Sequence, residues 1–160
     1  MDFQTPPPIA NYMVNMLPFG IKRVLEPTPG KGNIVRALKE NGYSVEIPKN
    51  KTGDFWRAYS KYQSEGMKFD ASVMNPPFTP MDTGYKILYA VMELTDQIIA
   101  IMPWLTLINS EKRTRTIWRY GLRSVTHLPR WVFPGSRVQT CIIDMQKGWL
   151  EETKFLFYGE

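Results

Sequence analysis

Strand-like and helix-like segments alternate along this sequence from residue 22 to about residue 119, and this alternation predicts an α/β fold. The strand-like segments are short apolar runs, whereas the segments between them repeat apolar residues at helical spacing. A chain of 160 residues that is 43% hydrophobic can build one domain with its own core. We therefore predict a single domain, residues 1–160, whose mostly parallel sheet is covered by helices on both faces.

The bounds of each element follow from turn residues and apolar spacing. Residues 1–8 end in three prolines, and we expect them to be extended. Helices are predicted at 9–17, 32–41, 54–64, 83–94 and 109–119. Strands are predicted at 22–26, 43–47, 69–74, 98–102, 125–128, 138–145 and 154–158. The short connection RWVFPGSR predicts that the last strands form an antiparallel hairpin at the far edge of the sheet.

Composition excludes several classes of protein. One cysteine, Cys141, and one histidine, His127, exclude an internal disulfide framework and leave too few ligands for a zinc site. No apolar run reaches the roughly 20 residues that a membrane span needs. The N-terminus lacks the basic and apolar regions of a signal peptide, so we expect a cytoplasmic protein without a metal and without a membrane partner.

The net charge is +5, and basic residues crowd into residues 112–137. A polyanionic partner explains this cluster, and so does an ordinary solvated helix face. The cluster comprises Lys112, Arg113, Arg115, Arg119, Arg123, Arg130 and Arg137.

Unusual turns follow three of the predicted strands: EPTPGKG, EIPKN and NPPF. Because ligands of such sheets bind beyond the carboxyl ends of the strands, these turns predict a site on that edge. Gly30 and Gly32 allow a tight turn and a close approach of the backbone to a ligand. Glu26 places an acid before that turn, which suits a cationic ligand better than a phosphate. An ordinary strand–helix turn is the alternative.

Two acids further along the chain also have candidate roles. Glu46, at the end of the second strand, is placed to bind a ribose diol. Asp54 and Phe55 are placed to bind the amino group and the ring face of an adenine. Each acid can instead be a solvated loop residue, and Asp54 is well placed to cap the helix at 54–64.

The NPPF turn indicates chemistry on an exocyclic amine. The lone pair of such an amine is delocalised into the base, so an enzyme that methylates it should hold both N–H groups with acceptors. The Asn75 side-chain oxygen is one acceptor, and the Pro76 carbonyl, held by the rings of Pro76 and Pro77, is a second. Phe78 offers a face on which an extruded base can stack. A tight turn with an aromatic anchor is the structural alternative.

Taken in order, these motifs resemble those of S-adenosylmethionine-dependent adenine-N6 DNA methyltransferases, particularly small phage and prophage members. The resemblance rests on FQTPPPIANYM, VLEPTPGKG, EIPKNKTGDF, NPPF, IAIMPW and FPGSRVQTCII. It implies a Rossmann-like class I methyltransferase fold with S-adenosyl-L-methionine as the cofactor.

The resemblance also implies residue roles. Thr5 and Pro6 would hold the methionine part of the cofactor, and Phe133 would pack near the target base. The remaining cofactor residues implied are Glu26, Pro27, Gly30, Gly32, Glu46, Asp54, Phe55 and Asn75. Those expected to act on the amine or stack the base are Asn75, Pro76, Pro77 and Phe78. Those expected to meet the nucleic-acid backbone are Lys112, Arg113, Arg115, Arg119 and Arg137, although Arg137 can also be an ordinary surface arginine.

Two departures from the family pattern bear on partners. The loop from Glu46 to Asp54 is too short for the usual helix, so one strand is expected to be vestigial. A target-recognition region is missing, so specificity would come from short loops, a second copy or a specificity subunit. DNA, single-stranded or locally opened, is the expected substrate. Three alternatives remain open. They are methylation of adenine N6 or guanine N2 in RNA, methylation of protein glutamine, and a cofactor-binding subunit that is active only with a partner.

Overall fold

The computed structural model describes residues 3–50, 53–80 and 82–160. The helices are α1 (Pro7–Val14), α2 (Asn33–Glu40), α3 (Phe55–Ser64), α4 (Thr83–Met92), α5 (Trp104–Ile108) and α6 (Glu111–Gly121), with a 3₁₀ turn at Arg130–Val132. The strands are β1 (Arg23–Leu25), β2 (Ser44–Glu46), β3 (Ala71–Met74), β4 (Gln97–Pro103), β5 (Leu122–Leu128), β6 (Thr140–Gln146) and β7 (Lys154–Phe157). None of the described helices is long and apolar enough to cross a membrane.

The strands form one seven-stranded sheet in the order β2-β1-β3-β4-β6-β5-β7. β6 runs antiparallel to both of its neighbours, and all other pairings are parallel. The predicted α/β class with a mostly parallel sheet is therefore confirmed. After β2 the chain crosses to the other side of β1, so the strand order reverses between β1 and β3. Such a reversal opens a crevice at the carboxyl ends of the two strands, where ligands bind in sheets of this kind.

Helices cover both faces of the sheet, and this explains why β3 and β4 are buried along their whole lengths. On one face, side chains of α3, α4 and α6 pack against alternate strand residues such as Ile98 and Met102. On the other face, α1 and α2 pack against the intervening residues, including Ile99 and Ile101. Cys141 is fully buried in β6, as expected for a core residue.

Two helices have wrong predicted bounds: the helix predicted at 9–17 is Pro7–Val14, and the one predicted at 109–119 is Glu111–Gly121. Residues 7 and 8 are helical, because α1 begins at Pro7, where a proline is tolerated since the first-turn N–H groups have no intrahelical partner. The basic helix begins at Glu111, where the Ser110 hydroxyl accepts a hydrogen bond from the Arg113 N–H at 3.3 Å. The separate helix α5 before it was not predicted.

The predicted C-terminal hairpin forms from β5 and β6, and the edge of the sheet is occupied by β7, which pairs parallel with β5. At the opposite edge, no strand follows β2 in the described residues before α3, as expected from the short loop. Lys51 and Thr52 of the EIPKNKTGDF motif lie outside the described residues.

Candidate functional site

A cleft of about 880 Å³ opens beside the carboxyl ends of β1 and β3. It contains the EPTPGKG and NPPF turns together with residues that precede α1. The residues singled out from the sequence that line it are Thr5, Glu26, Pro27, Gly30, Phe55, Asn75, Pro76, Pro77 and Phe78. Residues far apart in the sequence thus meet where the strand order reverses.

The glycine loop is shaped by positive φ angles and by contact with the N-terminal segment. Gly32, which caps the N-terminus of α2, has φ +87°, a conformation that favours glycine. Gly30 has φ +52°, and a β-carbon there would lie 2.6 Å from the Gln4 Oε1 atom. That same oxygen accepts a hydrogen bond from the Lys31 N–H at 2.9 Å. Gln4 therefore packs against the loop and holds it in its turn.

Glu26 is buried at the base of the cleft, directly after β1. Its Oε1 atom accepts a hydrogen bond from the Thr28 N–H at 2.8 Å. Burial raises the pKa of Glu26 to about 8, because the charged carboxylate loses its solvation, and the Thr28 N–H only partly offsets this. A buried carboxyl whose pKa lies near neutrality is a candidate ligand-binding group.

The Asn75 side chain is held in one orientation by the N-terminal segment. Its Nδ2 atom donates to the Phe3 carbonyl and to the Thr5 Oγ1 atom, each at 3.1 Å. The Thr5 carbonyl in turn accepts from Asn33 Nδ2 at 2.8 Å, which ties the segment to the start of α2. Because these bonds use both hydrogens of the amide nitrogen, the Asn75 side-chain oxygen remains to accept a hydrogen bond.

The rest of the NPPF turn packs closely against α4. Pro76 is buried, Pro77 is exposed and Phe78 is half-buried against the part of the core to which α1 and α2 contribute. A β-carbon at Gly84, in the first turn of α4, would lie 2.9 Å from the Pro77 carbonyl oxygen. Glycine at this position therefore lets the helix approach the turn.

Aromatic side chains form another wall of the cleft. Phe55 is only 5% exposed, whereas Trp56 is 43% exposed and lines the same cleft. Their rings pack edge to face, with centroids 5.0 Å apart. Trp56 thus presents more ring surface to a ligand than Phe55 does, and sequence reasoning missed it although it directly follows the Asp–Phe pair.

Gln4 and Asn33 were also missed, because only the folded structure brings them to the loop and to Thr5. Ser136 and Val138 line the cleft as well, and they belong to the FPGSRVQTCII segment that the sequence had marked.

The two candidate acids, Glu46 at the end of β2 and Asp54 before α3, lie outside the described lining of the cleft. Glu46 is almost buried and forms ion pairs with Arg23 at 3.4 Å and Lys49 at 3.3 Å. Asp54 caps α3, where its Oδ1 atom accepts from the Trp56 N–H at 2.9 Å. Pro6 and Gly32 occupy the N-cap positions of α1 and α2 rather than the cleft wall.

Phe133 is buried behind the cleft, where its ring packs edge to face on Phe3 with centroids 6.2 Å apart. Arg137 is exposed between Ser136 and Val138, at the rim. Trp104, the first residue of α5, does not line the cleft and donates from Nε1 to His127 Nδ1 at 3.0 Å.

The basic residues of α6 do not line the cleft. Lys112, Arg115 and Arg119 are exposed on the helix. Arg113 is half-buried, and its guanidinium lies 4.3 Å from the centroid of the Tyr85 ring in α4. The described residues contain no group of three or more His, Cys, Asp or Glu that could hold a metal ion.

Similar folds occur in several solved structures. A Listeria monocytogenes protein proposed to be a class I S-adenosylmethionine-dependent methyltransferase aligns with a TM-score of 0.67 and 14% identity over 98% of this chain and 66% of its own. A Streptococcus thermophilus type I restriction-modification system methyltransferase subunit aligns with a TM-score of 0.69 and 15% identity over 97% of this chain and 47% of its own. A Plasmodium falciparum dimethyladenosine transferase aligns with a TM-score of 0.62 and 17% identity over 91% of this chain and 63% of its own.

No protein-family model matches the sequence, and no curated protein matches it either. The chain spans between about half and two thirds of the length of these three structural relatives. At such low sequence identity the likeness concerns the backbone. The chain therefore has the fold of the class I S-adenosylmethionine-dependent methyltransferases.

Proposed function

We propose that this protein transfers a methyl group from S-adenosylmethionine to the exocyclic N6 amine of adenine in DNA. The observation that carries the proposal is the Asn75 amide. Its donors are taken by Phe3 and Thr5, so its oxygen is left as an acceptor in a cleft that the NPPF turn also lines.

The cleft suits a sulfonium nucleoside. Its volume of about 880 Å³ falls within the range of small-molecule sites. Glu26 supplies a carboxyl at its base, the Gly30 backbone allows close approach, and Phe55 and Trp56 supply aromatic surface. When bound, S-adenosylmethionine supplies an electrophilic methyl group on its sulfur atom.

Asn75 and Pro76 then act on the target amine. The Asn75 side-chain oxygen and the Pro76 carbonyl accept its two N–H groups, so the nitrogen becomes tetrahedral and aims its lone pair at the methyl carbon. The new N–C bond forms as the S–C bond breaks, with inversion at carbon, and the nitrogen afterwards loses one proton. Because the two acceptors are held before the substrate arrives, they stabilise the developing positive charge without rearranging.

Phe78 is proposed to stack the extruded base, since it is half-buried and lines the cleft beside Asn75. The exposed cations Lys112, Arg115, Arg119 and Arg137 are proposed to meet phosphates. Arg113 packs on Tyr85, and we propose that it adds positive charge near these cations without contacting a phosphate itself. In this proposal Glu46 and Asp54 do not contact the ligand. Glu46 stabilises the end of β2 and Asp54 stabilises the start of α3.

Two alternatives have an observation in their favour. The first is methylation of adenine in RNA, which the similarity to a dimethyladenosine transferase favours. The similarity to a methyltransferase subunit of which this chain spans 47% favours a protein that needs a partner.

The test uses the purified chain with methyl-labelled S-adenosylmethionine and duplex DNA, single-stranded DNA or RNA of the same sequence. After digestion the labelled nucleoside is identified, with Asn75→Ala as the background. Label in N6-methyladenine from DNA is expected. Label found only in RNA would show that RNA, and not DNA, is the substrate. Cofactor binding without transfer to any polymer would favour the subunit alternative.

A further inference from the structure

We infer that the polymer bound beside this site is single-stranded DNA and that it runs along α5 and α6. This inference rests on the proposed function and deepens it. It concerns a surface that we call the basic–aromatic stripe, formed by Lys112, Arg115, Trp118 and Arg119.

The stripe occupies one exposed side of α6. Lys112, Arg115 and Arg119 are spaced by three and four residues, so they follow one face of the helix. Trp118 lies next to Arg115 and Arg119 on that surface, and it is 65% exposed. At about 1.5 Å per residue, an α6 of 11 residues is about 16 Å long. The stripe is therefore long enough to contact several nucleotides.

Charge on the stripe complements a polyanion. The acid within α6, Glu111, pairs with Arg115. Within the described part of the chain, Lys112 and Arg119 form no ion pair, so their charges remain for phosphate groups. Lysine and arginine bind nucleic acid mainly through phosphates and release counterions as they do so.

Exposed apolar side chains on α5 and α6 favour a single strand over a duplex. Trp118 on α6 and Leu105 and Ile108 on α5 are all exposed, and the last two share one side of the short helix. A duplex presents phosphates outward and keeps its base faces stacked inside. A single strand presents both phosphates and base faces, and the faces stack on aromatic side chains. The mixture of cations and apolar groups therefore matches the single strand.

The stripe begins on the edge of the sheet that holds the cleft. β4 ends at Pro103 on the carboxyl edge of the sheet, α5 follows at once, and α6 then returns to the start of β5. Arg113, in the first turn of α6, packs on Tyr85 in α4, the helix that follows the NPPF turn. A strand with one adenine in the cleft can thus continue directly onto α6.

A binding experiment with matched variants tests this assignment. The probe is a fluorescein-labelled 12-nucleotide oligothymidine, which has no adenine and so reports on the track rather than on the target pocket. Trp118→Ala is compared with Trp131→Ala, because Trp131 is 66% exposed but lies by the 3₁₀ turn next to Tyr158. We expect Trp118→Ala to weaken binding about tenfold and Trp131→Ala to leave it unchanged. Thermal unfolding of both variants checks that each is folded.

Salt dependence tests the cations separately. Arg119→Gln is compared with Lys39→Gln, which removes an exposed charge from α2 on the other face of the sheet. We expect Arg119→Gln to reduce the slope of log affinity against log salt by about 0.7 and Lys39→Gln to leave it unchanged.

Three results would overturn the inference: equal effects of Trp118→Ala and Trp131→Ala, tighter binding and faster methylation of duplex than of single-stranded DNA, or tighter binding of RNA than of DNA of the same sequence. Its failure is distinguishable from failure of the proposed function. Methylation of adenine in duplex DNA alone would refute the single strand and keep the reaction. Trp118-dependent binding of single strands without methyl transfer would keep the track and refute the reaction.

Discussion

The cleft and the α5–α6 surface differ in what their side chains already bind. In the cleft, Asn75 donates to the Phe3 carbonyl and the Thr5 hydroxyl, and the Thr5 carbonyl accepts from the Asn33 side chain. On α5 and α6, large side chains such as Leu105 and Trp118 are exposed and two cations form no ion pair with described residues. The polar groups of the first region are already paired with one another, whereas the second region leaves apolar and charged side chains exposed.

Under the two proposals, this difference corresponds to two kinds of recognition in one chain. A cleft with fixed acceptors selects a small group by geometry, and it suits a chemical step. An open surface of cations and apolar groups tolerates many sequences, because phosphates and base faces are common to every nucleotide. Weak sequence specificity is therefore expected, and the variants below test the division between the two regions.

The largest effect is expected from Asn75→Ala. It removes an acceptor that we place on the reacting amine, and loss of one preorganised transition-state hydrogen bond commonly costs about 100- to 1,000-fold in kcat. Cofactor affinity and oligothymidine binding should stay near those of the wild type, which calorimetry and fluorescence anisotropy measure. A variant that keeps more than a third of the wild-type kcat would contradict the mechanism.

Glu26→Gln should change how stability depends on pH. Burial raises the pKa of Glu26 to about 8, so between its ordinary pKa of 4.5 and that value the folded protein holds a proton that the unfolded chain releases. The free energy of unfolding therefore falls as pH rises through this window, by at most about 1.4 kcal/mol per pH unit from this group. Glutamine does not titrate, so the variant should lose this contribution.

Urea denaturation of both proteins without cofactor at pH 5, 6.5 and 8 measures the difference. The variant should gain stability relative to the wild type as pH rises, and the two should converge towards pH 5. Parallel pH profiles would show that the folded protein holds Glu26 as a carboxylate.

The sequence predicted the fold and the position of the cleft well, because both depend on local patterns. Apolar runs, glycines and prolines determined where strands ended, and parallel strands bring their carboxyl ends to one edge. The boundaries of α1 and α6 were less accurate. Three prolines looked extended, although the first turn of a helix accepts proline, and α5 was too short to show a helical period.

Contacts across the fold were beyond sequence reasoning. Nothing in the spacing of Gln4 and Gly30 shows that one packs on the other. The sequence likewise did not show that Glu46 lies beside Arg23 and Lys49. The sequence also did not show that Trp118 is exposed. Its exposure follows from the orientation of α6, which turns Ile117 and Tyr120 towards the core.

Thr5→Val sharpens the account of the cleft. Valine keeps the shape of the buried threonine but removes the hydroxyl that accepts from Asn75 Nδ2. The Phe3 carbonyl still holds the amide, so we expect kcat to fall about tenfold, the size of one buried hydrogen bond. Thr5→Ser keeps the hydroxyl and should restore most of the rate.

The comparison of kcat with cofactor affinity separates two roles of Thr5. A positioning role changes kcat and leaves the dissociation constant of S-adenosylmethionine unchanged. The family resemblance instead implies contact with the methionine part of the cofactor. A raised dissociation constant with an unchanged kcat in Thr5→Val would support that role and refute positioning.

The smallest effect is expected at Asp54, where capping and cofactor binding make different predictions. Its carboxylate caps α3 through the Trp56 N–H, and replacement of such a cap by alanine costs about 1 kcal/mol of stability. Asparagine caps as well as aspartate does, so Asp54→Asn should be as stable as the wild type. If Asp54 acts only as a cap, folded Asp54→Ala and Asp54→Asn should both bind S-adenosylmethionine as the wild type does, because Phe55 and Trp56 form the aromatic wall of the cleft. A loss of affinity for S-adenosylmethionine in Asp54→Asn at unchanged stability would instead indicate that the Asp54 carboxylate contacts the cofactor. Because Asp54 lies outside the described lining of the cleft, the cleft would then have to close around its ligand.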